Sequence, residues 1–266
     1  MAKKRIAVHG AAGRMGRRLI ALAKQDPELE LVAAIDAPGH PDIGRDSGEL
    51  AGIGPNGVLI SGRFAGSAQI DAVIDFSKPD ALDELLQTCV QRKLPLVYAT
   101  TGATADQLQK LKEVAATIPV LWSPSMSLTV NLAMMLSKLA AGALANKDAD
   151  VEIIEKHHRF KTDAPSGTAL KFGRIIAERM GITESVHGRV GKPGERPHNQ
   201  IGYHAVRIGD NPGEHTILFG LLGETLEITV KATSRDAYAV GALECAKFLA
   251  GQPAGKLYTM NDVLKL

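Results

Sequence analysis

Through its first 125 residues the chain alternates short apolar runs with amphipathic stretches, and that rhythm restricts what it can fold into. "RIAVHG" is an apolar run closed by glycine, and "GRMGRRLIALAKQ" follows with Met15, Leu19, Leu22 and Ala23 at helical spacing. "LELVAAID" reads as a second strand and "GVLISG" as a weaker third, because glycines flank it. The strand "DAVIDF" precedes a helix through "PDALDELLQTCVQRK", with Pro79 in its first turn. "LPLVYATTG", "ADQLQKLKEVAAT" and "PVLWS" complete the series as strand, helix and strand. Strands joined through helices run parallel, so the pattern predicts a parallel sheet with helices on both faces.

The pattern changes after Met126. A long helix precedes "DVEIIEKHH", a strand ending at two histidines, and the helix "SGTALKFGRIIAERMG" comes next. Residues 188–213 are rich in Gly, Pro and charge and read as a long loop carrying one strand, "YHAVRI". "HTILFGL" and "ETLEITVKAT", with Gly223 between them, read as neighbouring antiparallel strands of an open sheet. A helix, "AYAVGALECAKFLAG", and a tail, "KLYTMNDVLKL", close the chain. The expected class is α/β: a Rossmann-like domain over 1–125 and 238–266, an α+β domain with an open mixed sheet over 126–237, and a cleft between them.

At 266 residues the chain is long enough to bury two such cores. Its formal net charge of +2 gives no field that would select nucleic acid or an anionic membrane. Aromatics at 4% also count against stacking on single strands. Cys89 and Cys245 sit in apolar helical stretches, which suits buried thiols in a reducing cytoplasm better than a disulfide framework. The most apolar stretch, "SLTVNLAMMLSKLAAGALA", is interrupted by Ser137 and Lys138 and reads as a buried or interface helix. "MAKKRIAVHG" lacks an apolar segment of signal-peptide length. The expectation is a cytoplasmic protein with a small-molecule partner, and no nucleic acid or membrane.

"VHGAAGRMG" places Gly10, Gly13 and Gly16 between the first strand and the first helix. Glycine there lets the backbone turn tightly and approach a pyrophosphate, while the N–H groups of the helix start face its oxygens. Asp36 closes the second strand twenty residues beyond Gly16, where an acid accepts hydrogen bonds from a ribose. Ala37 after it offers no cation for a 2′-phosphate, which favours NADH over NADPH. Lys78, in "DFSKPDA", is placed to reach the adenosine end, so both cofactors stay open. The competing reading of Asp36 is an acid that caps a loop.

"EKHHRFKTDAPSGTAL", from Glu155 to Leu170, gathers titratable groups beside a helix start. Lys161 brings a positive charge suited to holding a carboxylate or protonating a carbanion. Ser166, Gly167 and Thr168 offer N–H groups and hydroxyls as an anion site. His157 and His158 leave the strand toward opposite faces. A metal site is disfavoured, because a histidine pair without further ligands nearby is a poor one. Asp163 reads as a cap of the following helix, and Arg159 as a solvated charge.

With "GAAGRMGR", "DFSKP", "ATTG", "SLTVN", "EIIEKHHRFKTDAPSGTA", "GEHT", "GETLEIT" and "YTMNDVLKL", the chain resembles the 4-hydroxy-tetrahydrodipicolinate (dihydrodipicolinate) reductase family over essentially its whole length. The resemblance implies a homotetrameric enzyme of diaminopimelate and lysine biosynthesis, in which NADH or NADPH reduces a cyclic dicarboxylate. It implies proton transfer at His157 and Lys161, and substrate contacts at His158, Ser166, Gly167 and Thr168. It implies cofactor contacts at Gly10, Ala11, Ala12, Gly13, Arg14, Met15 and Gly16, at Asp36, at Ala99, Thr100 and Thr101, and at Ser123, Pro124, Ser125 and Met126. Residues 126–237 become the domain for substrate and for pairing subunits, with His215–Thr233 as the pairing segment.

The chain departs from the family where glycine is common at Ala99 and Thr129, Asn-Phe or Asn-Met at Ser125-Met126, and histidine at Val230. Some members that accept NADPH carry arginine where this chain has Ala37. These departures bear on cofactor preference and turnover more than on reaction type. Two rival readings remain: another two-domain nicotinamide oxidoreductase of amino-acid metabolism, and a non-catalytic NAD-binding regulator.

Overall fold

The first strand, β1 (Lys4–His9), sends Ile6 and Val8 to one face and Ala7 to the other, and all three are fully buried. A strand dry on both faces needs a layer on each side, and the following elements provide them. In chain order these are α1 (Arg14–Gln25), β2 (Leu29–Ile35), the short α2 (Ser47–Leu50), β3 (Ile60–Ser61) and β4 (Ala72–Asp75). Then come α3 (Leu82–Arg92), β5 (Leu96–Tyr98), α4 (Ala105–Val114) and β6 (Val120–Trp122). The computed structural model describes residues 2–64, 66 and 68–266.

The chain divides into two compact units, Met1–Leu128 with Asp236–Leu266, and Thr129–Arg235. The change-overs fall two or three residues from the sequence-based positions at 125/126 and 237/238. The first unit recovers the end of the chain as α7 (Asp236–Leu249), β12 (Leu257–Tyr258) and α8 (Met260–Leu264). Its seven-stranded sheet is parallel throughout, in the order β12-β6-β5-β4-β1-β2-β3. One face carries Ile6, Val8, Ile74 and Val97 against Leu19 and Ile20 of α1 and Leu243 and Ala246 of α7. The other carries Ala7, Val73, Leu96 and Tyr98 against Leu82, Leu85 and Cys89 of α3 and Leu111 of α4. Both cysteines are free thiols, and burial pushes each up to about 12.

The second unit contains α5 (Leu128–Leu144, beginning on the last residue of the first), β7 (Asp150–His157), α6 (Gly167–Met180), β8 (Glu184–His187), β9 (Gln200–Arg207), β10 (Glu214–Leu221) and β11 (Glu224–Lys231). Its sheet runs β11-β10-β7-β9-β8. The β7–β10 and β10–β11 pairs are antiparallel, and the β7–β9 and β8–β9 pairs are parallel. Val151, Ile153, Ile217 and Phe219 pack with Phe172 and Ile176 of α6 and with Val130 and Met134 of α5.

Two strands were not expected. β12 lies in what read as a tail, and it pairs Leu257 with Val120 and Tyr258 with Leu121. Two residues carry no period, so only the waiting edge of β6 makes them a strand. β8 is a mostly exposed four-residue edge whose alternation is invisible because neither face is buried. The expected helix at Pro79 opens as a single 3-10 turn, Pro79–Ala81, before α3 begins. No helix among the described residues is long and apolar enough to cross a membrane.

Candidate active site

In the first unit the glycine loop is tight for a stated steric reason. At Gly10 (φ +80°) a Cβ would stand 2.6 Å from the Phe76 carbonyl oxygen, and at Gly16 it would stand 2.2 Å from the Gly10 carbonyl oxygen. Loop and helix start therefore pack backbone on backbone, with no room for a side chain. Gly13 caps α1 without a side-chain hydrogen bond, and the first turn holds no acidic residue. The N–H groups of Arg14, Met15 and Gly16 are thus helix-start donors, at the positive end of the helix dipole. Ala11 and Ala12 are buried, while Arg14 is exposed.

Asp36 directly follows β2, within reach of this loop. Its carboxylate accepts the Ala12 N–H at 2.8 Å on one oxygen and the Ala37 N–H at 2.8 Å on the other. The sequence offered loop-capping acid and ribose acceptor as competing readings; the structure places Asp36 on the loop, with lone pairs left on both oxygens. A cleft of about 430 Å³ opens beside it, lined by Gly10, Gly13, Asp36 and Lys78 among others.

A fully buried carboxylate, Asp75, laces the carboxyl ends of three adjacent strands. Asp75 is fully buried at the end of β4 and lies 2.5 Å from Nδ1 of His9 at the end of β1. It also accepts the Ser77 hydroxyl at 2.6 Å and the Thr100 hydroxyl at 2.6 Å. The Ala99 N–H donates to the Asp75 carbonyl, so the turn after β5 is held at two adjacent residues. Thr101 is exposed beyond it. After β6, the Ser123 hydroxyl donates to the Ser125 carbonyl at 2.7 Å, and Met126 is buried beside Cys245, with Pro124 exposed between them. The sequence reading missed His9 and Asp75. A polar residue closing an otherwise apolar strand was the available signal in both.

In the second unit the histidine–lysine segment is built around Glu155, which is 1% exposed. Strand periodicity puts Glu155 and His157 on one face of β7, and Nδ1 of His157 lies 2.5 Å from Oε2 of Glu155. The β7–β9 register sets Arg207 beside His157, and its guanidinium donates to both carboxylate oxygens at 2.8 Å. The Ser166 N–H donates to Glu155 at 3.0 Å. Burial alone would push the Glu155 carboxyl up, but Arg207, His157 and Ser166 together hold it below the usual range. Burial lowers His157 against the opposing pull of Glu155, with Lys161 and Arg207 adding to the lowering. With ionised Glu155 able only to accept, His157 carries its proton on Nδ1 and its lone pair on Nε2. A Cβ at Gly213 would lie 2.9 Å from that Nε2.

Ser166 caps α6. Its hydroxyl accepts the Ala169 N–H at 3.2 Å and lies 3.1 Å from Nε2 of His215. Both polar groups of Ser166 therefore have partners within the protein. The N–H groups of Gly167 and Thr168 are at helix positions without an intrahelical partner, and the space beside Gly167 is open. His158 leaves the strand end, its Nδ1 buried without a hydrogen-bond partner among the described residues, and its ring faces Phe160 at 6.2 Å. The Lys161 ammonium lies 2.7 Å from Asp163. Asp163 therefore pairs with the lysine and does not cap the helix, because Ser166 occupies the cap and its hydroxyl accepts the Ala169 N–H. Arg159 is exposed, as expected. Arg207 and His215 escaped the sequence reading, since only sheet pairing brings them to Glu155.

The glycine-rich loop after β8 is tethered. Arg189 and Arg196 both donate to Glu152 of β7, at 2.8 and 2.9 Å, and His204 lies 2.6 Å from it. Burial opposes ionisation of Glu152, but Arg189, His204 and Arg196 hold its carboxyl down at about 2.

Comparison with known proteins bears directly on these constellations. Residues 4–126 match the family model for the dihydrodipicolinate reductase N-terminus, and residues 129–264 match that for its C-terminus. The chain belongs to the dihydrodipicolinate reductase family. Among members of the family, a 4-hydroxy-tetrahydrodipicolinate reductase of Rhodopirellula baltica is 54% identical, covering 97% of this chain and 95% of that one. One from Alkalilimnicola ehrlichii is 46% identical, covering 98% and 99%. A dipicolinate-bound dihydrodipicolinate reductase from Paenisporosarcina sp. TG-14 shares the fold with a TM-score of 0.73 and 25% identity, over 97% of both chains. Within the dihydrodipicolinate reductase framework, Val230 stands opposite His215 in the β10–β11 register and is buried beside α6.

Proposed function

We propose that this chain reduces 4-hydroxy-tetrahydrodipicolinate to tetrahydrodipicolinate with a nicotinamide cofactor. The observation that carries the proposal is the joining of His157 to a buried Glu155–Arg207 pair, beside Lys161 and the open start of α6. The reaction removes the 4-hydroxyl as water and adds one hydride and one proton. A nicotinamide ring bound to the first unit supplies the hydride.

The residues of the first unit fit such a cofactor. The loop from Gly10 to Gly16 has no room for a side chain at Gly10 or Gly16 and presents helix-start N–H groups for a pyrophosphate. Asp36 keeps acceptor capacity for ribose hydroxyls, and Lys78 borders the same cleft. The turn of Ala99, Thr100 and Thr101 and the segment Ser123–Met126 are the remaining contacts in this reading. NADH is favoured by Ala37, and NADPH is also accepted.

In the second unit the N–H groups of Gly167 and Thr168, with His158 and Lys161, hold the substrate carboxylates. Ser166 serves them from behind, fixing the helix start through Glu155 and Ala169. His157 rests neutral at physiological pH because burial lowers it, so its Nε2 is an acceptor. Lys161 is then the charged donor, and His157 holds the proton in transit while Glu155 and Arg207 keep its tautomer. The buried ion pair does not change charge during this exchange, as in other hydrogen-bonded catalytic dyads. Family membership, together with an edge strand β11 that exposes Leu226 and a preceding turn that exposes Leu222, supports a homotetramer, and family membership also supports a place in the cytoplasm.

The test is a coupled assay. Substrate is generated in situ from pyruvate and aspartate semialdehyde by the preceding enzyme, and NADH and NADPH oxidation are followed in parallel. Substrate-dependent oxidation is expected with both. Replacing His157 with Gln and Lys161 with Ala together should lower turnover by about 10²–10⁴-fold, the range for lost acid–base catalysis, while NADH still binds. Undiminished turnover would remove both residues from the mechanism, and NADH binding without turnover of any substrate by the native chain would favour a regulator.

A further inference from the structure

The cleft beside Asp36 has cations that the residue after the acid does not supply. Arg63, from the turn after β3, and Lys78, from the segment after β4, both line it together with Asp36 and Ala37. Other arginines near this end of the sheet are committed: Arg17 and Arg45 pair with Asp42 at 3.0 and 2.6 Å. Among the described residues no carboxylate engages Arg63 or Lys78, and both are exposed toward the cleft they border.

Asp36 is the difficulty for a phosphorylated ribose. Its carboxylate is fixed in position by two backbone N–H groups, so a dianionic 2′-phosphate meets a negative group that does not turn away. Glu84 is the other carboxylate on the lining, and His9 and His40 face it as well, His9 tied to Asp75 and His40 beside Asp42. Two carboxylates against two uncommitted cations leave the lining close to neutral. Such a lining neither excludes a phosphate nor demands one.

We propose that Arg63 and Lys78 form a 2′-phosphate site from two separate turns, so that one cleft accepts the adenosine ribose of NADH through Asp36 and that of NADPH through this pair. The guanidinium provides the paired, planar donors and the ammonium a point charge, which is the usual division between these side chains at phosphates. Because both are exposed, their contribution is screened by salt, and NADPH affinity falls more steeply with ionic strength than NADH affinity. This rests on the reading of the cleft as the adenosine end of a dinucleotide site.

The experiment is calorimetric titration of the full chain with adenosine 2′,5′-bisphosphate and with AMP, free of any turnover. Arg63→Ala with Lys78→Ala should weaken the bisphosphate at least about tenfold, the scale of a lost charge-assisted phosphate pair, and AMP about threefold or less. Arg63→Glu should weaken the bisphosphate further, and Asp36→Asn should shift the preference toward it. The ratio of kcat/KM for NADPH to that for NADH should move in the same directions. Equal losses for both ligands, or no loss for either, would overturn the proposal. Binding of neither ligand by the native chain would instead overturn the dinucleotide reading of the cleft, and this inference with it. Both positions are exposed, so an unchanged melting temperature is expected to confirm that the variants fold.

Discussion

Glu155 and His157, two residues apart on β7, share one short hydrogen bond of 2.5 Å, and the same carboxylate closes a two-pronged pair with Arg207. The charge of Glu155 is therefore already balanced before the histidine meets it. Glu155 orients His157 without making it permanently cationic. Glu155→Gln should leave the Arg207 guanidinium with only the Val206 and Asp163 carbonyls as partners and no carboxylate, and cost about 3 kcal/mol, measurable by denaturant titration. It should also lower kcat by about 10²-fold and displace the pH–rate profile, because the amide no longer dictates which ring nitrogen carries the proton. A loss of stability with an unshifted profile would reduce Glu155 to a structural part.

His215 predicts an acid sensitivity of its own. Burial, with smaller contributions from His157 and Lys161, pushes it down to about 4, from an unfolded value near 6.5. Between those values the unfolded chain binds the proton and the folded chain does not, so stability rises with pH. The contribution is complete above about 6.5, is lost as pH falls toward 4, and is on the order of 3 kcal/mol. His157, also lowered, adds to the same slope. Glu152 and Glu155 act at lower pH, since both are held below the ordinary carboxylate range. Urea titrations from pH 7.5 to 4 should show the slope, and His215→Asn should flatten it.

Gly16→Ala would bring a methyl group to 2.2 Å from the Gly10 carbonyl oxygen, a backbone atom that cannot swing aside. The loop must move, at a cost of about 1–3 kcal/mol for an overpacked site. NADH titration by fluorescence should show at least tenfold weaker binding, with substrate-analogue binding to the second unit retained.

Thr100→Val removes one of the hydroxyl donors to the buried Asp75 while keeping its shape. The carboxylate then lacks a partner that water cannot readily replace, and about 1–3 kcal/mol of stability should be lost. Thr100 also shapes the turn after β5, so KM for the cofactor should rise more than kcat falls. Thr100→Ser, which restores the hydroxyl, should recover most of both.

Much of this architecture was readable along the chain. The period of three to four in "GRMGRRLIALAKQ" and the unbroken apolar runs of "RIAVHG" and "DAVIDF" are local consequences of burying one helix face or both strand faces. Gly10, Gly13, Gly16 and Asp36 announced a loop and an acid, and the fold brings Asp36 onto that loop at the Ala12 N–H. His157, Lys161 and the Ser-Gly-Thr start of α6 were likewise visible as a cluster, since they lie within one short segment.

What the sequence determined alone is therefore the alternating α/β framework, the glycine loop with its acid, and the family through motifs spread along the whole chain. Tertiary structure decided what each polar side chain is paired with. Arg207 and His215 reach Glu155 only through the registers of β9 and β10, from 52 residues away for Arg207 and 49 residues from Ser166 for His215. Asp163 looked like a helix cap until Lys161 turned out to hold it and Ser166 to cap. β12 is a strand because β6 offers an edge, not because Leu257 and Tyr258 carry a period. Side-chain periodicity is set by each segment's own burial, whereas a buried charge takes its partner from whichever strand the sheet lays beside it.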